Sequence, residues 1–133
     1  MTISGQCRCG AVRYTADGSP EHHALCHCSD CRRWSGAPLV GWMAFRDDRM
    51  TVSGTVQSYA SSEHGVREFC PQCGTGLLYR NAAVLPGLVD IQTGTLDAPQ
   101  DYAPDAQIMC KERLVWLDRV TSLPAFATYP GEG

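Results

Sequence analysis

Val66-Arg67-Glu68-Phe69-Cys70-Pro71-Gln72-Cys73-Gly74-Thr75-Gly76-Leu77-Leu78-Tyr79-Arg80 reads as a strand, a two-cysteine turn and a second strand. Val66 to Phe69 leads into the turn and Gly76 to Arg80 leads out, with apolar and aromatic side chains in both arms. Gly74 stands where a residue of free φ lets backbone amides fold back over the thiolates. Cysteines paired this way aim their sulfurs at a common point about 2.3 Å away, the bond length of tetrahedral zinc.

Outward from this unit the pattern repeats. Cys7-Arg8-Cys9-Gly10 precedes the β-prone run Ala11 to Thr15. Leu39 to Phe45 is apolar on both faces and predicts a central buried strand. Thr51 to Val52 and Thr55 to Tyr59 flank Ser53-Gly54, a hairpin-like turn. Leu88 to Thr93 and Gln107 to Cys110 add two strands, separated by the turn-rich stretch Gly94 to Pro99. A turn of helix is expected over Ser29 to Trp34, another after Thr121, and a frayed end at Gly131-Glu132-Gly133. The expectation is one mainly β domain over residues 1–133, stapled by zinc knuckles.

Composition narrows the function classes. A net charge of -3, from 11 basic and 14 acidic residues, leaves no electrostatic basis for binding nucleic acid or an anionic membrane. No apolar run approaches the roughly 20 residues that span a bilayer. The first residues, Met1 to Gln6, lack a basic or apolar leader, so the chain reads as cytoplasmic. In a reducing compartment clustered cysteines are metal ligands or catalytic thiols rather than disulfides.

Seven of the eight cysteines fall in three tight groups: Cys7 and Cys9; Cys26, Cys28 and Cys31; Cys70 and Cys73. Two divisions are open. Cys7, Cys9, Cys70 and Cys73 would form a closed structural zinc site, leaving Cys26, Cys28 and Cys31 as a three-thiolate zinc site with an open position. Alternatively Cys28, Cys31, Cys70 and Cys73 form a long-spaced zinc ribbon, which strands Cys7, Cys9 and Cys26. The first uses all seven thiols and predicts two zincs per chain. Cys110 stands alone, as a small hydrophobe or as a fourth ligand closing the second site.

These motifs, Cys7-x-Cys9-Gly10-Ala11-Val12, then Cys26-His27-Cys28-x-x-Cys31-Arg32-x-Trp34-Ser35-Gly36, then Phe69-Cys70-Pro71-x-Cys73-Gly74-Thr75, resemble the glutathione-dependent formaldehyde-activating enzyme family, which includes centromere protein V. Gly94-Thr95-Leu96-Asp97, Trp116-Leu117 and Leu123-Pro124-x-Phe126 extend the resemblance to about residues 3–126. It implies several coiled antiparallel sheets, a structural zinc at Cys7, Cys9, Cys70 and Cys73, and a second zinc at Cys26, Cys28 and Cys31. It also implies addition of glutathione to formaldehyde, giving S-hydroxymethylglutathione, a reaction classed with carbon–sulfur lyases. One departure is Ile108-Met109-Cys110-Lys111, where the family often carries His or Ser before the Trp; that difference points to a different substrate.

Under this reading a thiol takes the open zinc position and attacks the aldehyde carbon. Arg32 and Arg33 are candidates for the carboxylates of a tripeptide thiol, and Trp34 for a wall of the site. His27, between two ligands, is expected to point away from the metal; of His22 and His23, alternation turns only one inward. Arg46-Asp47-Asp48-Arg49 reads as a solvated turn. The competing reading is a non-catalytic, zinc-stabilised binding module, for which the second metal is saturated or absent. Exposed strand edges also permit a homodimer.

Overall fold

The computed structural model describes residues 1–131; of the expected frayed end, Glu132 and Gly133 lie outside the described residues. Among the described residues ten strands form two sheets. The smaller contains β1 (Thr2–Gln6), β2 (Arg13–Asp17) and β5 (Met50–Ser53) in the order β1-β2-β5. The larger contains β3 (His22–Cys26), β4 (Val40–Arg46), β6 (Gln57–Ala60), β7 (Gly65–Phe69), β8 (Gly76–Asn81), β9 (Leu88–Gln92) and β10 (Ala106–Ile108). Its order is β10-β3-β4-β9-β8-β7-β6. All strand pairs are antiparallel except β10 with β3. One α-helix, α1 (Ser29–Ser35), follows β3.

The two sheets share a core. Ile3, Tyr14 and Ala16 of the smaller sheet meet Met43, Phe45, Leu78, Val89 and Ile91 of the larger. Each buried side chain of the size of Phe45 or Ile91 stabilises the fold by about 2 kcal/mol. β4 runs through the middle of the larger sheet. Met43 and Phe45 face the shared core and Trp42 faces the other side, which is why its sequence is apolar without alternation. Trp42 there packs with Cys26, Cys31 and Val40 in a second, smaller cluster.

Four local expectations are corrected. β2 begins at Arg13, not Ala11, because the Cys7 amide donates to the Val12 carbonyl at 3.0 Å and draws that segment into the cysteine turn. The segments around Ser53-Gly54 do not pair with each other: β5 joins β2 and β6 joins β7. Gly54 (φ 90°) carries the chain from one sheet to the other so tightly that a Cβ would sit 2.1 Å from the Ala11 carbonyl oxygen. β10 stops at Ile108 because Met109 adopts the left-handed conformation (φ 56°), which places Cys110 in a 3-10 turn, not a strand. The C-terminal helical stretch is 3-10 and covers Val115–Ser122, before rather than after Thr121. Arg46 caps an exposed 3-10 turn at Asp47–Arg49, the solvated turn expected there.

Candidate metal centres and the cavity beside them

The turn after β1 and the turn between β7 and β8 have the same construction. In each, a left-handed glycine (Gly10, φ 80°; Gly74, φ 81°) returns its amide to the carbonyl of the first cysteine, at 3.1 Å for Cys7 and 2.8 Å for Cys70. The two turns bring Cys7, Cys9, Cys70 and Cys73 together, with all sulfurs within 4.8 Å of one another. Cys9 Sγ lies 3.7 Å from Cys7 Sγ and 3.8 Å from Cys70 Sγ. Four sulfurs around zinc at about 2.3 Å have edges of roughly 3.8 Å, so this donor set fits a tetrahedral thiolate metal. The Val12 amide donates to Cys7 Sγ at 3.3 Å, and Thr75, beside Cys73, holds that thiol down to about 5.

The second group hangs on α1. Cys26 closes β3, Cys28 is the residue capping α1, and Cys31 lies in its first turn. The Cys31 amide donates to Cys28 Sγ at 3.2 Å, so one thiol serves as helix cap and as candidate ligand. Gly36, left-handed at φ 73°, ends the helix. The three sulfurs lie within 4.8 Å of one another, and among the described residues no fourth Cys, His, Asp or Glu atom completes the group. As free thiols they share protons unequally. The Cys26 thiol, helped by Cys28, Arg67 and Trp42, holds Cys31 down to about 5, while Cys31 pushes Cys26 up.

These three thiols line a cavity of about 380 Å³. Its polar wall comes from one register row of the larger sheet. His22 pairs with Ala44, Ala44 with Asp90, Asp90 with Tyr79, and Tyr79 with Arg67, so side chains from five strands emerge on one face. Arg67 is buried, donating to Asp30 Oδ2 at 2.7 Å and to Cys31 Sγ at 3.6 Å. Its guanidinium sits 4.9 Å from the Tyr79 ring centroid, 5.7 Å from Trp34 and 5.9 Å from Trp42, an aromatic cage for a cation. At the other end of the row His22 Nε2 donates to Asp90 Oδ1 at 2.8 Å. Burial pushes the Asp90 carboxyl up. The rim is apolar: Val84, Leu85, Ile108 and Met109.

The remaining predicted residues stand elsewhere. Arg32, Arg33 and Trp34 do not line the cavity. α1 carries Arg33 into solvent, and Trp34 stacks on Tyr59 (5.9 Å) and meets Phe69 edge-on (5.5 Å), supporting Arg67 from behind. The guanidinium that meets the thiols is Arg67. His27 is buried, its Nε2 2.8 Å from Gln107 Oε1 on the neighbouring strand. His22 and His23 face opposite sides of β3, and His23 is tied to Thr93 Oγ1 at 2.8 Å. Cys110 is exposed and belongs to neither sulfur group. Cys28 and Cys31 lie in a different group from Cys70 and Cys73, so the ribbon pairing does not form.

Sequence reasoning passes over Arg67 and Asp90. Asp90 is a charged residue between two buried apolar strand residues, Val89 and Ile91, and that was the available signal; Arg67, between Val66 and Glu68, carried none. Burying charge without purpose costs several kcal/mol.

This architecture defines a class: a mainly β protein with two clusters of cysteine thiols shaped to take metal ions. The model of the glutathione-dependent formaldehyde-activating enzyme family matches residues 2–112, and the chain belongs to that family. It is 26% identical over 144 aligned positions to a Halomonas elongata protein provisionally named a glutathione-dependent formaldehyde-activating enzyme, covering 99% of this chain and 91% of that one. It is 32% identical over 75 residues to an uncharacterized lyase of Schizosaccharomyces pombe, a match spanning 56% of this chain and about half (55%) of the yeast protein. The crystal structure of a Rhodobacter sphaeroides protein has the same fold, with a TM-score of 0.62 at 23% identity, covering 78% of this chain and 98% of that one. Among the described residues no helix is long and apolar enough to cross a membrane.

Proposed function

We propose that the chain is a zinc-dependent enzyme of carbon–sulfur lyase type, working as one unit with a core of about residues 3–126, that forms and breaks the adduct of a small thiol with a small aldehyde. Glutathione and formaldehyde are the pair the family suggests. The observation that carries this reading is the three-thiol group of Cys26, Cys28 and Cys31, lacking a fourth ligand and opening into a cavity. A binding module would close that group.

Zinc on the three thiolates would polarise a substrate thiol and favour its thiolate. The residues do the rest. The cap of α1 holds the Cys28 sulfur, and Arg67 holds that of Cys31, before substrate arrives. Arg67 offsets the negative charge of the thiolates through Cys31 Sγ, and the aromatic cage keeps it in place. The apolar rim excludes water from an adduct that water would otherwise compete to release. Cys7, Cys9, Cys70 and Cys73 make a complete four-thiol set and serve as the structural zinc site, tying the N-terminus to the β7–β8 turn. Eight unbridged cysteines suit a reducing compartment, which supports a cytoplasmic location.

Native mass spectrometry with and without glutathione tests the reading. Two zincs per chain and a glutathione adduct that disappears in Cys28→Ser are expected. One zinc, or two zincs without an adduct, would return the chain to the binding-module reading.

A further inference from the structure

The reading above supplies a sulfur nucleophile but no group to carry the proton that travels from thiol to aldehyde oxygen. His27, nearest in sequence, is buried against Gln107. We propose that His22, oriented by Asp90, is the proton-carrying catalytic residue of the three-thiol site. The proposal rests on that reading of the site and goes beyond it.

Three observations converge. His22 and Asp90 line the same cavity as Cys26, Cys28 and Cys31. Asp90 is 6% exposed on a central strand between Val89 and Ile91, both fully buried, and its carboxylate meets His22 Nε2 at 2.8 Å. A buried carboxylate holding one ring nitrogen fixes tautomer and orientation, and leaves Nδ1 as the nitrogen that exchanges protons with a ligand. Finally, His22 also lines a second cavity of about 310 Å³ on the far side, and its side chain is 37% exposed. The ring therefore stands between the thiol cavity and solvent, and is able to re-equilibrate with water after each turnover.

The step balances without any other reagent. The substrate S–H proton passes to His22 Nδ1. The sulfur lone pair forms the S–C bond while the C=O π pair moves onto oxygen. That oxygen takes the proton from Nδ1, leaving a hydroxyl, and Asp90 stabilises the imidazolium that exists in between. The reverse sequence cleaves the adduct. Around the pair stand Cys31 and Asp30 of α1, Tyr79 of β8 and Arg67 of β7 on the cavity side; Glu21, His23, Asp101 and Asp105 lie on the other. Arg67 is already paired with Asp30, so Asp90 is the carboxylate left to serve His22.

The test compares the zinc-loaded full chain with His22→Gln and Asp90→Asn. Calorimetry of glutathione binding, in two buffers of different ionisation enthalpy, counts the protons each protein releases. Wild type should keep the thiol proton, and His22→Gln should release close to one more per thiol bound. His22→Gln should also interconvert thiol, formaldehyde and adduct about 10²-fold more slowly. Asp90→Asn should release the His22 ring from its single tautomer, read by the ¹⁵N chemical shifts of its two ring nitrogens. Equal proton release by wild type and His22→Gln would overturn the role of His22 while leaving the site reading intact. Failure of wild type to bind glutathione at all would overturn both.

Discussion

Asp90 and Arg67 occupy one register row of the larger sheet with only Tyr79 between them, so an acid and a base 23 positions apart in the chain (90 − 67) share one wall of the thiol cavity. They do not pair: Asp90 binds His22, and Arg67 binds Asp30 and Cys31. Tyr79 keeps them separate, its ring facing the guanidinium at 4.9 Å. The row divides its labour, charge compensation at one end and proton handling at the other.

Arg67→Met tests the first of these. One nitrogen of Arg67, Nη2, reaches Asp30 Oδ2 and Cys31 Sγ at once, and a methionine fills the aromatic cage without donors. Partners that orient a metal ligand from behind are worth 10- to 100-fold in metal affinity. The three-thiol site should therefore bind zinc about 10- to 100-fold more weakly, measured by competition with a chromophoric chelator. Arg67→Lys, whose single ammonium can stand in for the one nitrogen that makes both bonds, should keep more of the affinity than Arg67→Met. An unchanged affinity in both variants would remove Arg67 from the metal site.

The four-thiol group has a different weak point. Gly74 folds the Cys70–Cys73 turn at φ 81°, and a Cβ there would meet nothing within 4 Å. Gly74→Ala is thus a test of backbone strain without collision. The left-handed conformation costs a non-glycine residue about 1–2 kcal/mol. Urea unfolding followed by circular dichroism should show a loss of that size with zinc count unchanged. A neutral result would mean the turn tolerates another conformation.

The cysteine turns are legible in the sequence because their geometry is local: two cysteines, a turn and a glycine within five residues. The strand–turn–strand unit and the buried run at Val40–Phe45 are legible for the same reason. His22, Arg67 and Asp90 are not, because register alone assembles them, and register is a property of the whole sheet. The assignment of carboxylate binding to Arg32 and Arg33 follows from their nearness to Cys31 in sequence. The helix turns that nearness away from the cavity, and a strand 36 residues on (67 − 31) supplies the guanidinium instead. Cys110 escapes the strand periodicity because a single left-handed residue, Met109, ends β10 before it.

His23 gives a dependence of stability on pH. Burial lowers its pKa below 6.5, so the folded state prefers the neutral ring. Above pH 6.5 both folded and unfolded forms are neutral and nothing is lost. As pH falls below 6.5 the unfolded chain takes up a proton that the folded chain does not, and stability drops until the folded pKa is reached. Urea midpoints taken in small pH steps should fall through this window. His23→Gln, which keeps a donor for Thr93 Oγ1, should flatten that part of the curve. A slope identical to wild type would show that His23 does not contribute it.

Chelation should separate the two sulfur groups. Cys26, Cys28 and Cys31 offer three ligands beside a cavity, whereas Cys7, Cys9, Cys70 and Cys73 offer four and join two distant turns. Where the ligand shell is complete, binding free energy is folding free energy. A strong chelator should therefore remove one zinc quickly with the circular dichroism spectrum intact, and a second slowly, together with loss of the fold. Cys28→Ser should abolish only the fast phase, and Cys70→Ser should leave no stably folded protein. Cys110→Ser should change neither phase, since Cys110 is exposed and outside both groups. If Cys110→Ser instead sped up the fast phase, Cys110 would be a fourth ligand reached by movement of the Met109 turn. The three-thiol site would then be closed, and the case for a substrate thiol there would fall with it.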